Sequence, residues 1–225
     1  MARTIDLNAD LGESAERWAS GEDRMLLDVV TSANVCTGAY AGDDELIAAT
    51  CAAAMAKDVA IGAQVGYPDR KGFGRRAMEF ETEALAAEIA RQIAHLRGLA
   101  ASSGGVVAYV KPHGALYHRV LRDREQRSAL EDAAGDLPVL GFAGAGFVWS
   151  EGFADRGYGP DGSLIARDQP GALITDPAEA SAQAVRLLAD GVDSVCVHSD
   201  SPGALDIARA VRAALEAAGA EVRHR

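Results

Sequence analysis

The sequence is poor in basic residues, aromatic residues and cysteine. Its 22 Lys and Arg residues against 33 Asp and Glu residues give a formal net charge of −11, which excludes a basic surface that reads nucleic acid. The three cysteines, Cys36, Cys51 and Cys196, form no Cys-x-x-Cys pair, which argues against a zinc ribbon, a redox motif or a disulfide framework. We expect them to be small core residues.

Signals for membranes, secretion and nucleotides are also missing. No run approaches the roughly 20 apolar residues of a membrane helix. The start, Met1-Ala2-Arg3-Thr4, lacks the apolar segment of a secretory signal, so we expect a cytoplasmic protein without a membrane partner. The sequence contains no P-loop, no Gly-x-Gly-x-x-Gly turn after the first predicted strand and no serine-hydrolase elbow.

What is present is the pattern of an α/β protein. Apolar residues make up 48% and charged residues 24% of the 225 residues, and we expect one domain over residues 1–225. Short β-branched runs alternate with Ala/Leu-rich stretches at helical spacing, which predicts βα units around a parallel sheet. The predicted strands are residues 4–8, 29–36, 59–65, 106–111, 138–143, 152–155 and 194–198. The predicted helices are 43–58, 81–101 and 201–218, the last beginning with Ser201-Pro202 and ending before a Gly219 C-cap.

Polar side chains collect at the predicted strand ends, where parallel α/β folds bind their ligands. Asp6, Asn8 and Asp10 alternate with apolar residues in the first strand, so period-two geometry places them on one face. Inside a barrel these groups would need donors such as Lys111, because buried carboxylates without partners are costly. A solvent-facing strand edge is the alternative interpretation.

Two strand ends carry groups suited to catalysis. Lys111-Pro112-His113-Gly114 combines a fixed positive charge with an imidazole, which suits polarising a carbonyl and moving its protons. His198-Ser199-Asp200 repeats the arrangement after the last predicted strand, where Asp200 is placed to orient a histidine or to act as a base. For each histidine, a structural hydrogen bond to the backbone is the alternative. His95, His118 and His224 are expected to be surface or packing residues.

A glycine-rich loop, Gly72-Phe73-Gly74-Arg75-Arg76, presents two adjacent arginines. Such a pair can hold a carboxylate or a phosphate, and a salt bridge within the loop is the alternative.

These residues resemble the LamB/YcsF family over nearly the whole chain. The shared motifs are Ile5-Asp6-Leu7-Asn8-Ala9-Asp10-Leu11-Gly12-Glu13, Thr31-Ser32-Ala33-Asn34, Ala41-Gly42-Asp43, Gly66-Tyr67-Pro68-Asp69, Gly72-Phe73-Gly74-Arg75-Arg76, Lys111-Pro112-His113-Gly114-Ala115-Leu116-Tyr117, Phe153-Ala154-Asp155-Arg156, Cys196-Val197-His198 and Asp200-Ser201-Pro202-Gly203-Ala204. Several long motifs in the right order make the resemblance specific.

The resemblance implies a distorted seven-stranded, TIM-like β/α barrel of the glycoside hydrolase/deacetylase type. It also implies ATP-dependent opening of the 5-oxoproline (pyroglutamate) lactam to L-glutamate, together with 5-oxoprolinase subunits B and C. ATP is then the implied co-substrate, bound by the partner subunits or in a site of another design. Where the family pattern has two histidines, this chain has Tyr40 and Gln64. Tyrosine and glutamine are poor zinc ligands, which argues against a divalent metal.

The leading hypothesis is therefore a hydrolase of the cyclic amide. Lys111 would stabilise charge on oxygen, His113 or His198 would move protons, and Asp10 or Asp200 would orient water. One alternative is a metal-assisted carbohydrate hydrolase or deacetylase, which the fold favours and the 5% aromatic content disfavours. The other is a degenerate homologue that acts as a binding or regulatory partner. The candidate substrate-binding residues are Asp6, Asn8, Glu13, Asn34, Tyr40, Gln64, Arg75, Arg76, Tyr117 and Asp155.

Overall fold

Parallel strands and helices alternate along the chain in the computed structural model, which describes residues 3–225. The strands are β1 (Arg3–Leu11), β2 (Ser32–Cys36), β3 (Ala60–Val65), β4 (Val107–Pro112), β5 (Leu140–Phe142), β6 (Trp149–Phe153), β7 (Ser194–Val197) and β8 (Ala220–Val222). The α-helices are α1 (Ala15–Ser20), α2 (Glu22–Leu26), α3 (Asp44–Met55), α4 (Thr82–Ala101), α5 (Gly114–Val120), α6 (Arg124–Ala134), α7 (Pro177–Asp190) and α8 (Ala204–Ala217). A 3₁₀ turn covers Arg70–Gly72.

Seven of the strands form a nearly closed barrel. Their order in the sheet is β4-β3-β2-β1-β7-β6-β5, and each neighbouring pair is parallel. A parallel bridge between Val110 and Val139 joins the two ends of this order. The predicted seven-stranded barrel is confirmed, and β8 is an additional strand that pairs with the start of β1.

The interior of the barrel is polar, and the exterior of the strands is apolar. Leu7, Ala9 and Leu11 on β1 are fully buried, in the same hydrophobic core as residues of the helices. The alternating side chains Asp6, Asn8 and Asp10 instead hydrogen-bond to side chains of β2 and β7. The prediction that the three share one face is therefore confirmed.

Local sequence explains where several helices begin and end. Asp43 caps α3 by accepting a hydrogen bond from the Leu46 amide, and Asp176 caps α7 directly before Pro177. The glycine C-cap of α7 is Gly191, which adopts the left-handed conformation.

The predicted start of the last helix at Ser201-Pro202 is wrong. α8 begins at Ala204 with Gly203 as its N-cap, because the Ser201 hydroxyl donates to the Asp155 carboxylate instead of capping the helix. Its predicted C-terminal end is close: the last helical residue is Ala217, and Gly219 follows in the left-handed conformation. No helix within residues 3–225 is both long and apolar enough to cross a membrane.

Candidate active site

A cavity of about 270 Å³ opens at the carboxyl ends of the barrel strands. Part of its polar wall comes from residues at or just after the ends of β1, β3, β4, β6 and β7, because parallel strands all deliver their carboxyl ends to one mouth of a barrel. The rest comes from α5 and from two loops. The polar and charged side chains in the wall are Asp10, Gln64, Arg75, Lys111, His113, Tyr117, His118, Arg156, Arg167 and His198. The prediction that Asp10, Lys111, His113 and His198 converge is thus met by the geometry.

Below the cavity, the barrel interior is filled by a hydrogen-bonded network. Asn34 donates to Asn8 at 2.7 Å and to Asp10 at 2.8 Å, while its own amide oxygen accepts from the Tyr109 hydroxyl at 2.6 Å. Asn8 donates to Ser194 at 2.7 Å. Asn8 and Asn34 therefore support the cavity floor and do not belong to its wall.

Asp6 lies too deep to reach the cavity. Its carboxylate accepts hydrogen bonds from Thr31, Ser32 and Ser194 near the amino-terminal ends of the strands. Burial raises the pKa of Asp6, and the three hydroxyl donors oppose that rise. Asp6 was a candidate substrate-binding residue, and the structure gives it a role in packing the barrel.

Lys111 places an ammonium group at the cavity floor. Its Nζ atom donates to Glu151 at 2.7 Å and to Asn8 at 3.0 Å, and it lies 3.2 Å from the Cys196 sulfur. Burial on its own lowers the pKa of Lys111, but the surrounding Cys196, Glu151 and Asp10 raise it well above its ordinary value. Lys111 is therefore a fixed positive charge at neutral pH.

Glu151, the main partner of Lys111, was missed by the sequence analysis. It is fully buried on β6, whereas the predicted strand began only at residue 152. Trp149, Glu151 and Phe153 alternate with small residues, and this period-two pattern was the signal that an acid points into the barrel.

The pKa values of Asp10 and Glu13 are shifted in opposite directions although their carboxyl groups are close. Burial raises the pKa of Asp10, but the Lys111 ammonium and the two imidazoles bring it below its ordinary value, so Asp10 is ionised. Burial and the charge of Asp10 raise the pKa of Glu13 well above its ordinary value. Among the described residues, the buried Oε1 atom of Glu13 has no hydrogen-bond partner.

His113 has both ring nitrogens engaged. Its Nε2 atom lies 3.1 Å from the Phe73 carbonyl oxygen, and because a carbonyl can only accept, Nε2 carries the proton. Burial is the main reason that the pKa of His113 falls from its ordinary 6.5 to about 4, so the ring is neutral and Nδ1 must accept. The donor to Nδ1 is the Gln64 amide at 3.1 Å.

Tyr40 and Gln64 hold this tautomer in place. The Tyr40 hydroxyl donates to Gln64 Oε1 at 2.7 Å, which turns the amide nitrogen of Gln64 toward His113. The Tyr40 ring also stacks on the imidazole, with centroids 4.2 Å apart and planes 1° from parallel. Gln64 is part of the cavity wall. Tyr40 does not line the cavity and contacts the His113 ring instead.

One group of described residues has the spacing of a metal site: Asp10, Glu13 and His113 bring ligand atoms within 4.8 Å of one another. Imidazole binds a metal through an unshared nitrogen lone pair. The Nδ1 lone pair of His113 already accepts from Gln64, and Nε2 carries the proton. The side chains as arranged therefore do not fit a metal held by His113.

His198 presents a free nitrogen to the cavity. Its Nδ1 atom lies 2.9 Å from Asp155 Oδ1, and the other carboxylate oxygen accepts from the His198 amide and from the Ser201 hydroxyl. Burial raises the pKa of Asp155, but His198 and Ser201 bring it below its ordinary value, so Asp155 is an ionised acceptor and His198 Nδ1 is the donor. Within residues 3–225, His198 Nε2 makes no hydrogen bond.

The remaining candidates divide between the cavity and its surroundings. Tyr117 is in the wall, and Asp155 acts through His198. Asp200 bridges Arg75 and Arg167 at the mouth. Arg76 turns away to pair with Asp69. His118, expected to be a surface or packing residue, is in the wall, as are Arg156 and Arg167, which the sequence analysis did not assign to the site.

The chain is a nearly closed parallel β/α barrel with a polar carboxyl-terminal mouth, and deacetylases share this fold. A family 4 carbohydrate esterase from Streptomyces lividans matches with a TM-score of 0.55 at 12% identity, over 98% of this chain and 91% of that chain. At this identity the likeness concerns the fold alone.

The chain belongs to the LamB/YcsF family, whose model matches residues 5–225. The 5-oxoprolinase A subunit of Mycobacterium ulcerans is 44% identical, over 97% of this chain and 98% of the relative. That of Streptomyces avermitilis is 46% identical over the same shares. The crystal structure of a lactam utilization protein from Thermus thermophilus matches with a TM-score of 0.88 at 40% identity, over 98% of this chain and 99% of that one. The family resemblance seen in the sequence is confirmed.

Proposed function

We propose that this chain takes part in opening the lactam of 5-oxoproline to glutamate, as one component of an ATP-dependent 5-oxoprolinase. Support comes from relatives of full length that are named as the A subunit of 5-oxoprolinase or as a lactam utilization protein. In this proposal the partners are subunits B and C. The absence of a P-loop from the sequence is consistent with ATP being bound by those partners.

The observation that carries the proposal is that a cation, Lys111, and an imidazole, His198, line the same small cavity. Lys111 supplies a permanent positive charge, and His198 supplies an Nε2 atom that has no hydrogen-bond partner among residues 3–225, in a ring held by Asp155. Hydrolysis of an amide needs both: a cation near the oxygen that gains negative charge and a base for the attacking water.

The chemistry of the lactam explains the need for ATP. Amide resonance makes the carbonyl carbon a poor electrophile. Transfer of a phosphoryl group from ATP to the lactam oxygen removes that resonance. Water then adds to the carbon, the carbon–nitrogen bond breaks, and the nitrogen accepts a proton. Release of phosphate by a second water leaves glutamate.

In this scheme each residue has one role. His198 Nε2 takes a proton from the attacking water, and Asp155 holds the ring through Nδ1. Lys111 stabilises the negative charge of the phosphoryl group carried by the lactam oxygen, while Glu151 and Asn8 fix the position of its ammonium group. His113 is a neutral wall residue whose two ring nitrogens are both engaged in hydrogen bonds with the protein.

The test is reconstitution of the purified chain with subunits B and C, 5-oxoproline and ATP, followed by an assay for glutamate. The proposal predicts glutamate formation that is lost with Lys111→Met and with His198→Gln. Arg209→Gln, which changes an exposed side chain on α8 that pairs with Asp206, is the matched control. Glutamate formation unaffected by His198→Gln would contradict the assigned mechanism, and no glutamate from the wild-type complex would contradict the function.

A binding or regulatory role is the second candidate, because the Tyr40 and Gln64 replacements withdraw one imidazole from proton transfer. It predicts that the wild-type complex is inactive and that Tyr40→His with Gln64→His creates activity. A metal-assisted deacetylase is less well supported, since His113 has no free lone pair for a cation.

A further inference from the structure

Positive charge is concentrated in the cavity wall of an acidic chain. Arg75, Arg156, Arg167 and Lys111 are all in the wall, and Asp10 is the one carboxylate there among the described residues. The chain as a whole carries a net charge of −11. A local surplus of guanidinium groups against that background indicates a place for an anionic group.

Two of these arginines are held by a carboxylate of the protein itself. Arg75 Nη2 donates to Asp200 Oδ2 at 2.5 Å, and Arg167 Nη1 lies 3.2 and 3.4 Å from the two Asp200 oxygens. Burial raises the pKa of Asp200, but Arg167, Arg75 and His198 bring it down to about 2, so the carboxylate is ionised. The three side chains are between 32% and 40% exposed, and such exposed ion pairs open readily.

We propose that Arg75 and Arg167 form a subsite for a compact oxyanion of the ligand, a carboxylate or phosphoryl group, and that Asp200 occupies this subsite in the free protein. The Asp200 carboxylate has the charge and the paired oxygens that guanidinium groups bind. The entering oxyanion replaces Asp200 between the two arginines. That the oxyanion is the carboxylate of 5-oxoproline rests on the proposed function, whereas the subsite itself does not.

The neighbouring arginines, Arg156 and Arg76, use their guanidinium groups in other hydrogen bonds. Arg156 donates from Nε to the Ala172 carbonyl and from Nη2 to the Ile165 carbonyl, so it supports the loop that carries Arg167. Arg76 donates to Asp69. Arg75 and Arg167 are therefore the two arginines of the mouth whose guanidinium groups are released when Asp200 moves.

The loop that carries Arg75 is fixed by close backbone contact. Gly114 has φ +57°, and a Cβ atom there would lie 2.5 Å from the Gly74 carbonyl oxygen. A side chain at this position would push away the loop that bears Arg75. The sequence thus places one half of the subsite rigidly against the start of α5.

The test is calorimetric titration of the full chain with inorganic phosphate, with 5-oxoproline and with its uncharged amide, 5-oxoprolinamide. Asp200→Asn is expected to bind phosphate about tenfold more tightly, because the internal competitor is neutralised. Arg167→Gln and Arg75→Gln are each expected to bind about tenfold more weakly. Asp206→Asn and Arg209→Gln, which alter an exposed pair on α8, are expected to match wild type.

Equal phosphate affinity in Asp200→Asn and wild type would overturn the proposal, as would undiminished binding in both arginine variants. Binding of 5-oxoproline that follows the same pattern, with no binding of the amide, supports a carboxylate as the oxyanion. Phosphate binding that follows the pattern while 5-oxoproline does not bind supports the subsite with a phosphoryl group and contradicts the proposed substrate. The two proposals can therefore fail separately.

Discussion

Two histidines stand at the mouth of the same barrel, and their surroundings give them opposite capacities. His113, after β4, uses both nitrogens in hydrogen bonds with Gln64 and Phe73. His198, after β7, uses Nδ1 with Asp155 and leaves Nε2 facing the cavity. Both rings are mostly buried, so burial alone does not separate them. The two rings differ in the partner of their Nδ1 atom. His113 Nδ1 accepts a hydrogen bond from the Gln64 amide, whereas His198 Nδ1 donates one to the Asp155 carboxylate.

The difference also shows what Tyr40 and Gln64 contribute to the site. Tyr40 and Gln64 contact the His113 side of the site, where they complete a chain of hydrogen bonds. The His198 side has a carboxylate and a serine donor of its own. Tyr40 and Gln64 therefore act on the His113 half of the site and make no hydrogen bond with His198 among the described residues.

The strongest contrast is expected in activity. His198→Gln should lower kcat/KM for glutamate formation by a factor on the order of 10²–10⁴, the usual contribution of a general base. His113→Gln should cause a smaller loss, because it removes a positioned wall residue and no proton carrier. Steady-state kinetics of the reconstituted complex gives both numbers. An equal or larger loss in His113→Gln would reverse the comparison.

Lys111 lies between the His113 and His198 sides of the site, and its ion pair with Glu151 is expected to contribute to the free energy of unfolding. It lies two residues before His113, and its ammonium group is 5.4 Å from the Phe153 ring, on which His198 stacks. Lys111→Met leaves the buried Glu151 without its charge partner, which should cost ~3–5 kcal/mol of unfolding free energy. Urea unfolding measures the loss. Lys111→Met combined with Glu151→Gln should recover part of it, and no recovery would argue against the ion pair as the cause.

The pH dependence of stability distinguishes His113 directly. Burial lowers the pKa of His113 from 6.5 to about 4 in the folded chain, so protonation favours the unfolded chain. The stability that comes from the neutral ring is complete above pH 6.5 and is lost as the pH falls toward 4. A shift of this size corresponds to ~3 kcal/mol. Urea unfolding of wild type and His113→Gln from pH 7.5 to 4.5 should show the difference between them shrinking, and a constant difference would contradict this account.

A single substitution should make His113 resemble His198. Gln64→Glu gives His113 Nδ1 the kind of carboxylate partner that His198 has in Asp155, and a nearby carboxylate raises an imidazole pKa by about 1–3 units. Titration of the ring by NMR measures the change. Tyr40→Phe, which removes only the hydroxyl that holds Gln64, should shift this pKa less. A His113 pKa unchanged by Gln64→Glu would mean that Gln64 does not control the ring.

The sequence predicted which strand ends carry the titratable side chains, because the periodic pattern locates the strands and the order of strands and helices predicts a parallel barrel. Asp10, Lys111, His113 and His198 each follow or end a regular strand, and a parallel barrel brings such ends together. Depth along a strand was not predictable: Asp6 shares a face with Asp10 yet lies too low for the cavity. Glu151 was not predicted to lie in a strand, because an acidic residue interrupts the apolar pattern by which short strands are recognised.

Partners distant in the chain were also beyond the sequence. Arg167 pairs with Asp200, but Arg167 lies in a loop whose sequence has no periodic pattern from which its position could be predicted. Ser201 was predicted to cap a helix, and its hydroxyl donates to Asp155 instead. The hydrogen bond between Tyr40 and Gln64 has no local signal, because it depends on two strand ends coming side by side in the barrel.

The most direct measurement is ¹⁵N NMR of the imidazole rings in the wild-type chain, with His113→Gln and His198→Gln used to assign the signals. The account predicts that His113 carries its proton on Nε2 and that its pKa is about 4, while His198 carries a proton on Nδ1, which donates to Asp155. A His113 ring protonated on Nδ1, or one that titrates near pH 6.5, would contradict the division of roles between the two histidines.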